Sequence, residues 1–189
     1  QNLGIPVVHN VEGVGKNLHD HPLSFVDWYY NDAYYPSVYS ISKHMDAYAW
    51  ARNGVFAWSG LTGGGFARSN PAFDRPDVQF TVFPKDLESS FDIDVETPLP
   101  PRRAGVTVTI TLNTPKYRGS VTLKNKDPLA APLLVDTLEQ QFKAKKMPQQ
   151  DLESLVWGIK ELRRIRNFAP FNTTLGAEFH PGATVETDE

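Results

Sequence analysis

The chain has 189 residues, 40% hydrophobic and 12% aromatic, which is enough to enclose one principal core. Its 19 Lys and Arg against 22 Asp and Glu give a formal net charge of -3, so nothing favours nucleic acid or an acidic membrane, and a small molecule is the natural partner. With no cysteine there is no disulfide, thiolate metal site or cysteine nucleophile in these residues. No apolar run approaches the roughly 20 residues of a membrane-spanning helix, so the chain reads as soluble, its compartment unspecified.

The first residues, Gln1 to Val8, show neither an initiator Met nor a targeting pattern, and the start is expected to lie inside a longer polypeptide. Pro6 to Val11 is a β-prone run stopped by Gly13 and Gly15, which suggests a strand and a tight loop. From Phe25 to Tyr39 there are five tyrosines and a tryptophan, rings that suit a core wall or a ligand-facing surface, with core packing the simpler reading. Met45, Tyr48 and Ala49 recur with Ile41 at helical spacing before Arg52-Asn53-Gly54, which predicts a helix around 38 to 52.

Four glycines between Gly60 and Phe66 imply a backbone that is either mobile or very close to something. That stretch lacks the lysine and the strand-to-helix setting of a phosphate loop, leaving a pocket-lining loop or an ordinary surface loop. Residues 77–83 and 106–112 alternate apolar and polar side chains and predict strands with one buried face. Between them, 84–105 reads as a long polar, proline-rich excursion. A turn at 115–120 leads to Val121-Thr122-Leu123, and an irregular stretch from Asp127 leads to Leu133-Leu134-Val135, so an antiparallel sheet follows. Residues 150–168 form the clearest helix, with Leu152, Leu155, Val156, Ile159, Leu162 and Ile165 as its apolar stripe. Asp151 and Glu153 complement its positive end, and Arg163, Arg164 and Arg166 its negative end.

Several apparent catalytic groups read better as structure. His19, Asp20 and His21 are consecutive and lack a clear third ligand, so no metal site is assigned. Ser59 and Ser69 sit in no nucleophile elbow. The carboxylates at Asp92 and Asp94, or at Glu186, Asp188 and Glu189, fall in solvated contexts.

The string Gly13-Val14-Gly15-Lys16-Asn17-Leu18-His19-Asp20-His21-Pro22 resembles a segment of the glucose-methanol-choline (GMC) flavoenzymes. Its neighbours keep the family order: Gly4-Ile5-Pro6-Val7-Val8 before it, then Gly60-Leu61-Thr62 with Gly65 to Ser69, then Pro76 to Gln79. Pro115 with Arg118 to Leu123, Asp127-Pro128 and the helix from Asp151 to Phe168 complete a collinear resemblance over nearly the whole chain, choline-dehydrogenase-like in general pattern. The resemblance implies an α+β fold, an antiparallel sheet with helices on one face, that roofs a FAD held mainly by segments outside this sequence. It places residues 1–22 at the edge of the FAD-binding domain and its crossover, 23–181 in the substrate-binding domain, and 182–189 in an exposed tail or the start of a further segment.

On this reading the chain is the substrate-binding part of an enzyme oxidising a primary or secondary alcohol by hydride transfer to flavin. The family's catalytic histidine segment has no counterpart, so no catalytic residue is assigned and the chain alone is expected to be inactive. Its expected partners are the small-molecule substrate and the FAD-domain segments of the same protein. Asn17, Asp20 and His21 mark the domain-junction loop, with Asn17 and Asp20 fixing it through backbone bonds. Gly64, Thr81 and Thr109 are the candidate substrate contacts, with Gln79 and Thr107 on the same strand faces. His19, His21 and His180 are not taken as substitutes for the missing base. The light-driven fatty acid photodecarboxylases share the landmark order, but this chain lacks their cysteine, has Thr81 in place of their arginine and has a shorter loop after Thr62. Hydroxynitrile lyases are a further branch, and a non-catalytic binding or structural subunit is the remaining alternative.

Overall fold

A computed structural model describes residues 3–31, 41–54, 57, 61–87 and 103–187. In chain order the elements are β1 (Lys16–Leu18), β2 (Leu23–Tyr30), α1 (Ile41–Ala51), β3 (Gly63–Ala67), β4 (Val78–Leu87) and β5 (Arg103–Leu112). They continue with β6 (Gly119–Thr122), β7 (Leu133–Val135), α2 (Leu138–Lys143), α3 (Gln149–Arg166), α4 (Phe171–Thr174) and β8 (Leu175–His180). The strands form two antiparallel sheets, a five-stranded one in the order β3-β4-β5-β2-β8 and a three-stranded one in the order β1-β6-β7. The α+β architecture with an antiparallel sheet is therefore the one expected.

Period-two alternation decides which sheet face is buried. Val26 and Trp28 of β2, Val78 of β4, and Val106, Val108, Ile110 and Leu112 of β5 point to one side and make the core with Leu162 and Leu175. Leu155, Trp157 and Ile159 of α3 close over them. The most buried positions of α3 are Asp151, Ser154, Gly158 and Leu162, a line displaced from the stripe that its leucines and isoleucines predict. The reason is proximity. A Cβ on Gly158 would fall inside the van der Waals envelope of Ile110 Cγ2, so the helix comes closest to the sheet where it has no side chain.

Two buried carboxylates fix α3 in that position. Asp151, in its first turn and 2% exposed, accepts from the Lys116 amide at 2.9 Å and the Tyr117 amide at 3.0 Å. Asp77, at the start of β4, accepts from the Ser69 amide at 2.7 Å, the Ser69 hydroxyl at 2.6 Å and the Ser154 hydroxyl at 3.1 Å. At the other end, Arg163 donates to both oxygens of Glu178 in β8, at 3.0 and 2.6 Å, and to the carbonyls of Gly182 and Val185. The Glu178 hydrogen bond raises the Arg163 guanidinium above its ordinary value, although burial opposes this.

The fold departs from the sequence reading at four places. Pro6 to Val11 forms no strand, because it has no partner ladder and its side chains are exposed. The glycine stretch forms the edge strand β3 rather than a loop, since its backbone pairs with β4 from Gly63↔Val82 to Ala67↔Val78. Strands β4 and β5 extend into the proline-rich excursion, pairing as far as Leu87↔Arg103 and leaving 88–102 outside the described residues. The tyrosines at 34, 35 and 39 also lie outside them. Finally, β1 pairs with β6, which in turn pairs with β7, although β1 and β6 lie far apart in sequence.

Replacing Asp151 with Ala is expected to cost about 1–3 kcal/mol, because two buried amides lose their acceptor. Asp151→Asn, which keeps one carbonyl oxygen, should cost less. Urea unfolding of the two variants checks the order.

Candidate functional site

The face of the five-stranded sheet turned away from α3 carries the polar half of each alternating strand. Cross-strand register aligns Gly64↔Thr81, Thr81↔Thr109 and Thr109↔Phe25, so one row crosses four strands. The row ends on a ring pair, with Phe25 stacked on His180 at a centroid distance of 4.6 Å and an interplanar angle of 22°. A neighbouring row aligns Phe66↔Gln79 and Gln79↔Thr111, and a third aligns Phe83↔Thr107 and Thr107↔Asp27.

The three residues singled out from sequence thus lie side by side. Gln79 Nε2 donates to Thr81 Oγ1 at 3.4 Å, and the Thr107 hydroxyl donates to the buried carboxylate of Asp27. Thr81 and Thr109 are partly exposed, whereas Thr107 is buried and committed to Asp27, which separates two threonines that can meet a ligand from one that cannot. A cavity of about 330 Å³ opens over the edge of this face, with Thr62, Gly64, Phe66, Gln79 and Thr81 among its walls.

Gly64 has a steric role in that wall. A Cβ there would stand 2.6 Å from the Phe80 carbonyl oxygen, so only glycine lets β3 approach β4 this closely. Sequence reasoning missed Phe25 and His180 as members of the same surface. The signal for Phe25 was present, since Phe25, Asp27 and Tyr29 alternate with Val26 and Trp28. His180 lies in β8, a short bulged strand with no clean periodicity.

The second group of candidates lies at the seam between the two sheets. Asn17 adopts a left-handed backbone, φ 62°, and its carbonyl accepts from His19 Nδ1 at 2.8 Å. Asp20 Oδ1 accepts from the His21 amide at 2.7 Å, while the Asp20 amide donates to the Tyr117 hydroxyl. His21 Nδ1 donates to the Leu112 carbonyl at 2.6 Å, which places its proton on that nitrogen. Asp20 and His21 therefore link the segment after β1 to the loop before β6 and to β5, whereas Asn17 contributes only its own carbonyl to His19. Among the described residues, no group of three His, Cys, Asp or Glu is placed to hold a metal ion.

Beside this seam lies an apolar surface. Val7, Val8, Val14 and Leu123 are between 64% and 98% exposed. Together with Ile5 and Val11 they border a cavity of about 360 Å³. Uncovered apolar area of this kind marks an interaction surface.

No family model matches the chain. It aligns over its whole length with the oxygen-dependent choline dehydrogenase of Pseudomonas fluorescens (strain SBW25), at 29% identity over 193 residues, which is 32% of that protein. With the corresponding protein of Pseudomonas aeruginosa (strain LESB58) the identity is 27% over 194 residues, again covering all of this chain and 32% of the other. Among solved structures, a formate oxidase covers 94% of the chain with a TM-score of 0.69 and 19% identity, the match spanning 34% of that chain. A FAD-dependent oxidoreductase from Chaetomium thermophilum covers 98% of it with a TM-score of 0.69 and 18% identity, spanning 37% of that chain.

The structural likenesses show an α+β fold shared with these oxidoreductases. Together with the end-to-end alignment, they bear out the similarity of the chain to the carboxyl-terminal part of GMC oxidoreductases. The chain spans about a third of the length of the curated relatives it matches, 32% in each case quoted.

Gly64→Ala is expected to push β3 away from β4 at a cost of about 1–3 kcal/mol. Hydrogen exchange should accelerate at the amides of β3 while those at the centre of β5 keep their protection.

Proposed function

We propose that the chain is the substrate-binding part of a FAD-dependent GMC-type oxidoreductase that oxidises a primary or secondary alcohol by hydride transfer to the flavin. The observation that carries this reading is the row Gly64, Thr81, Thr109 and Phe25 on the helix-free sheet face. It offers two hydroxyls, an aromatic ring and a bare backbone at one level, a surface suited to a small polar molecule. The end-to-end alignment with choline dehydrogenases supports the reaction class.

The described residues fit only part of a flavin site. The glycines of β3 are paired in an edge strand and do not precede a helix N-terminus, so they make no seat for the pyrophosphate of FAD. What does fit is the open row of Thr81, Thr109 and Phe25, flat enough to face a planar ring system. When bound, FAD supplies the hydride acceptor. The chain's own residues orient the substrate: the Thr81 and Thr109 hydroxyls hydrogen-bond it, Phe25 packs on its apolar part, and β3 closes one side.

The catalytic base and most of the cofactor's contacts come, on this reading, from other segments of the whole protein. Residues 1–22 form the edge of the FAD-binding domain and carry the apolar surface of Val7, Val8 and Val14 against it. Residues 23–181 hold the substrate-binding domain, and 182–189 an exposed tail or the start of a further segment.

The test uses the whole gene product. Its visible spectrum should show bound flavin, and a panel of primary and secondary alcohols, choline included, should bleach that spectrum anaerobically. A colourless product, or a flavin that no alcohol reduces, overturns the reading. Thr81→Val and Thr109→Val should each lower kcat/KM by about tenfold with the flavin spectrum unchanged, because a buried hydroxyl contact is lost. Equal kcat/KM in wild type and both variants would remove these residues from the substrate site.

A further inference from the structure

On the α3 side of the sheet, beside the carboxyl-terminal half of that helix, lies an apolar groove of about 650 Å³. Tyr30, Gly63, Phe80, Val82, Leu162 and Ile165 are among its walls. It faces away from the Thr81 and Thr109 hydroxyls, because alternation along β4 and β5 sends neighbouring side chains to opposite faces. Gly64 borders both this groove and the cavity on the other face, but the hydroxyls of the substrate reading do not reach the groove.

Among the described residues, helix α1 is one of two helices, with α2, that no other element packs against broadly. It has 11 residues, no acidic group in its first turn and no basic group in its last. A helix that short is marginal in water unless tertiary packing supports it. Met45 is 59% exposed, Tyr48 39% and Trp50 89%, an unusual amount of apolar surface for one short helix. Met45 and Tyr48, three apart, share a face.

Connectivity ties the helix to the groove. The chain leaves the five-stranded sheet directly after Tyr30, passes through α1, and re-enters it at Gly63, and both residues are groove walls. An amphipathic helix tethered at both ends to the rim of an apolar groove has a high effective concentration there, and burying its rings removes exposed area from both surfaces.

We propose that the groove is the docking seat of α1 from the same chain, with the Met45 and Tyr48 face set against Phe80, Val82 and Ile165. Docking covers the outer end of β3, the edge strand whose glycines contribute little packing of their own. Gly64 is paired with Thr81 without it, and docking adds cover to that end of the β3–β4 ladder from the opposite side of the sheet.

These residues contain no cysteine, and any cysteine elsewhere in the whole gene product is first replaced with serine. In the whole gene product, Met45→Cys is combined with Ile165→Cys in the groove wall, or, as a control, with Phe142→Cys, which is 66% exposed on α2. The groove pair should form an intramolecular disulfide about tenfold faster than the control pair under mild oxidation. Equal rates overturn the proposal, and so does a disulfide that forms mainly between two molecules, which would make the groove a seat for a second copy. Independently, Tyr48→Asp, at a position too exposed to threaten the fold, should speed hydrogen exchange of the β3 amides about tenfold. Unchanged exchange would also overturn it. Neither readout involves the flavin, so a failed docking test and a failed oxidoreductase assignment remain distinct.

Discussion

The packing of α3 onto β5 at Gly158 and Ile110 is the constraint from which the rest of the architecture follows. A helix that touches the sheet through its backbone cannot slide or roll without a clash, and side chains on either side must fill the space its closeness defines. Asp77 and Asp151 supply direction where apolar contact has none. Asp77 takes donors from Ser69 and from Ser154 of α3, and Asp151 of α3 takes the amides of Lys116 and Tyr117, so the β3–β4 connection and the loop before β6 are both registered against one helix. With one face of the sheet committed in this way, alternation alone delivers the threonines, the glutamine and Phe25 to the other.

That division of labour lets the same strands hold the core with one face and present hydroxyls on the other. Val106, Val108 and Ile110 belong to the core, and Thr107, Thr109 and Thr111 between them are free to differ in role. Thr107 is spent on Asp27, whereas Thr109 stands in the open row with Thr81. A purely apolar strand could not offer this surface, and a purely polar one could not hold the helix.

Much of this was legible in the sequence because period and composition carry it. The threonine-valine alternation of β5 gave its centre and its two faces, though not its start at Arg103, and the long run of helix formers from Gln150 gave α3. The small residues of α3 were the harder part: Gly158 and Ser154 look like interruptions in an apolar stripe and prove to be its centre, since closeness between backbones leaves no pattern of hydrophobicity to detect. The glycines at 63–65 misled for a related reason. A glycine run has no side chains to alternate, and its pairing with β4 is decided by the partner strand. Pro6 to Val11 shows the opposite error, a β-prone composition without a ladder to join. For the candidate site, Gly64, Thr81 and Thr109 could be placed together from strand phase and the family resemblance. The contribution of His180 could not, because it depends on β8 crossing beside β2 from the far end of the chain.

The seam at Asp20, His21 and Tyr117 has a mechanical meaning. Its three hydrogen-bonding groups reach a strand of the large sheet and the loop that feeds the small one, and the Tyr117 ring between them is 3% exposed. Such a joint behaves as a weld, tying the small sheet, and the exposed valines that precede β1, to the end of β5. The glycine margin of the large sheet is placed differently: β3 is an edge strand, paired on one side only, with β4.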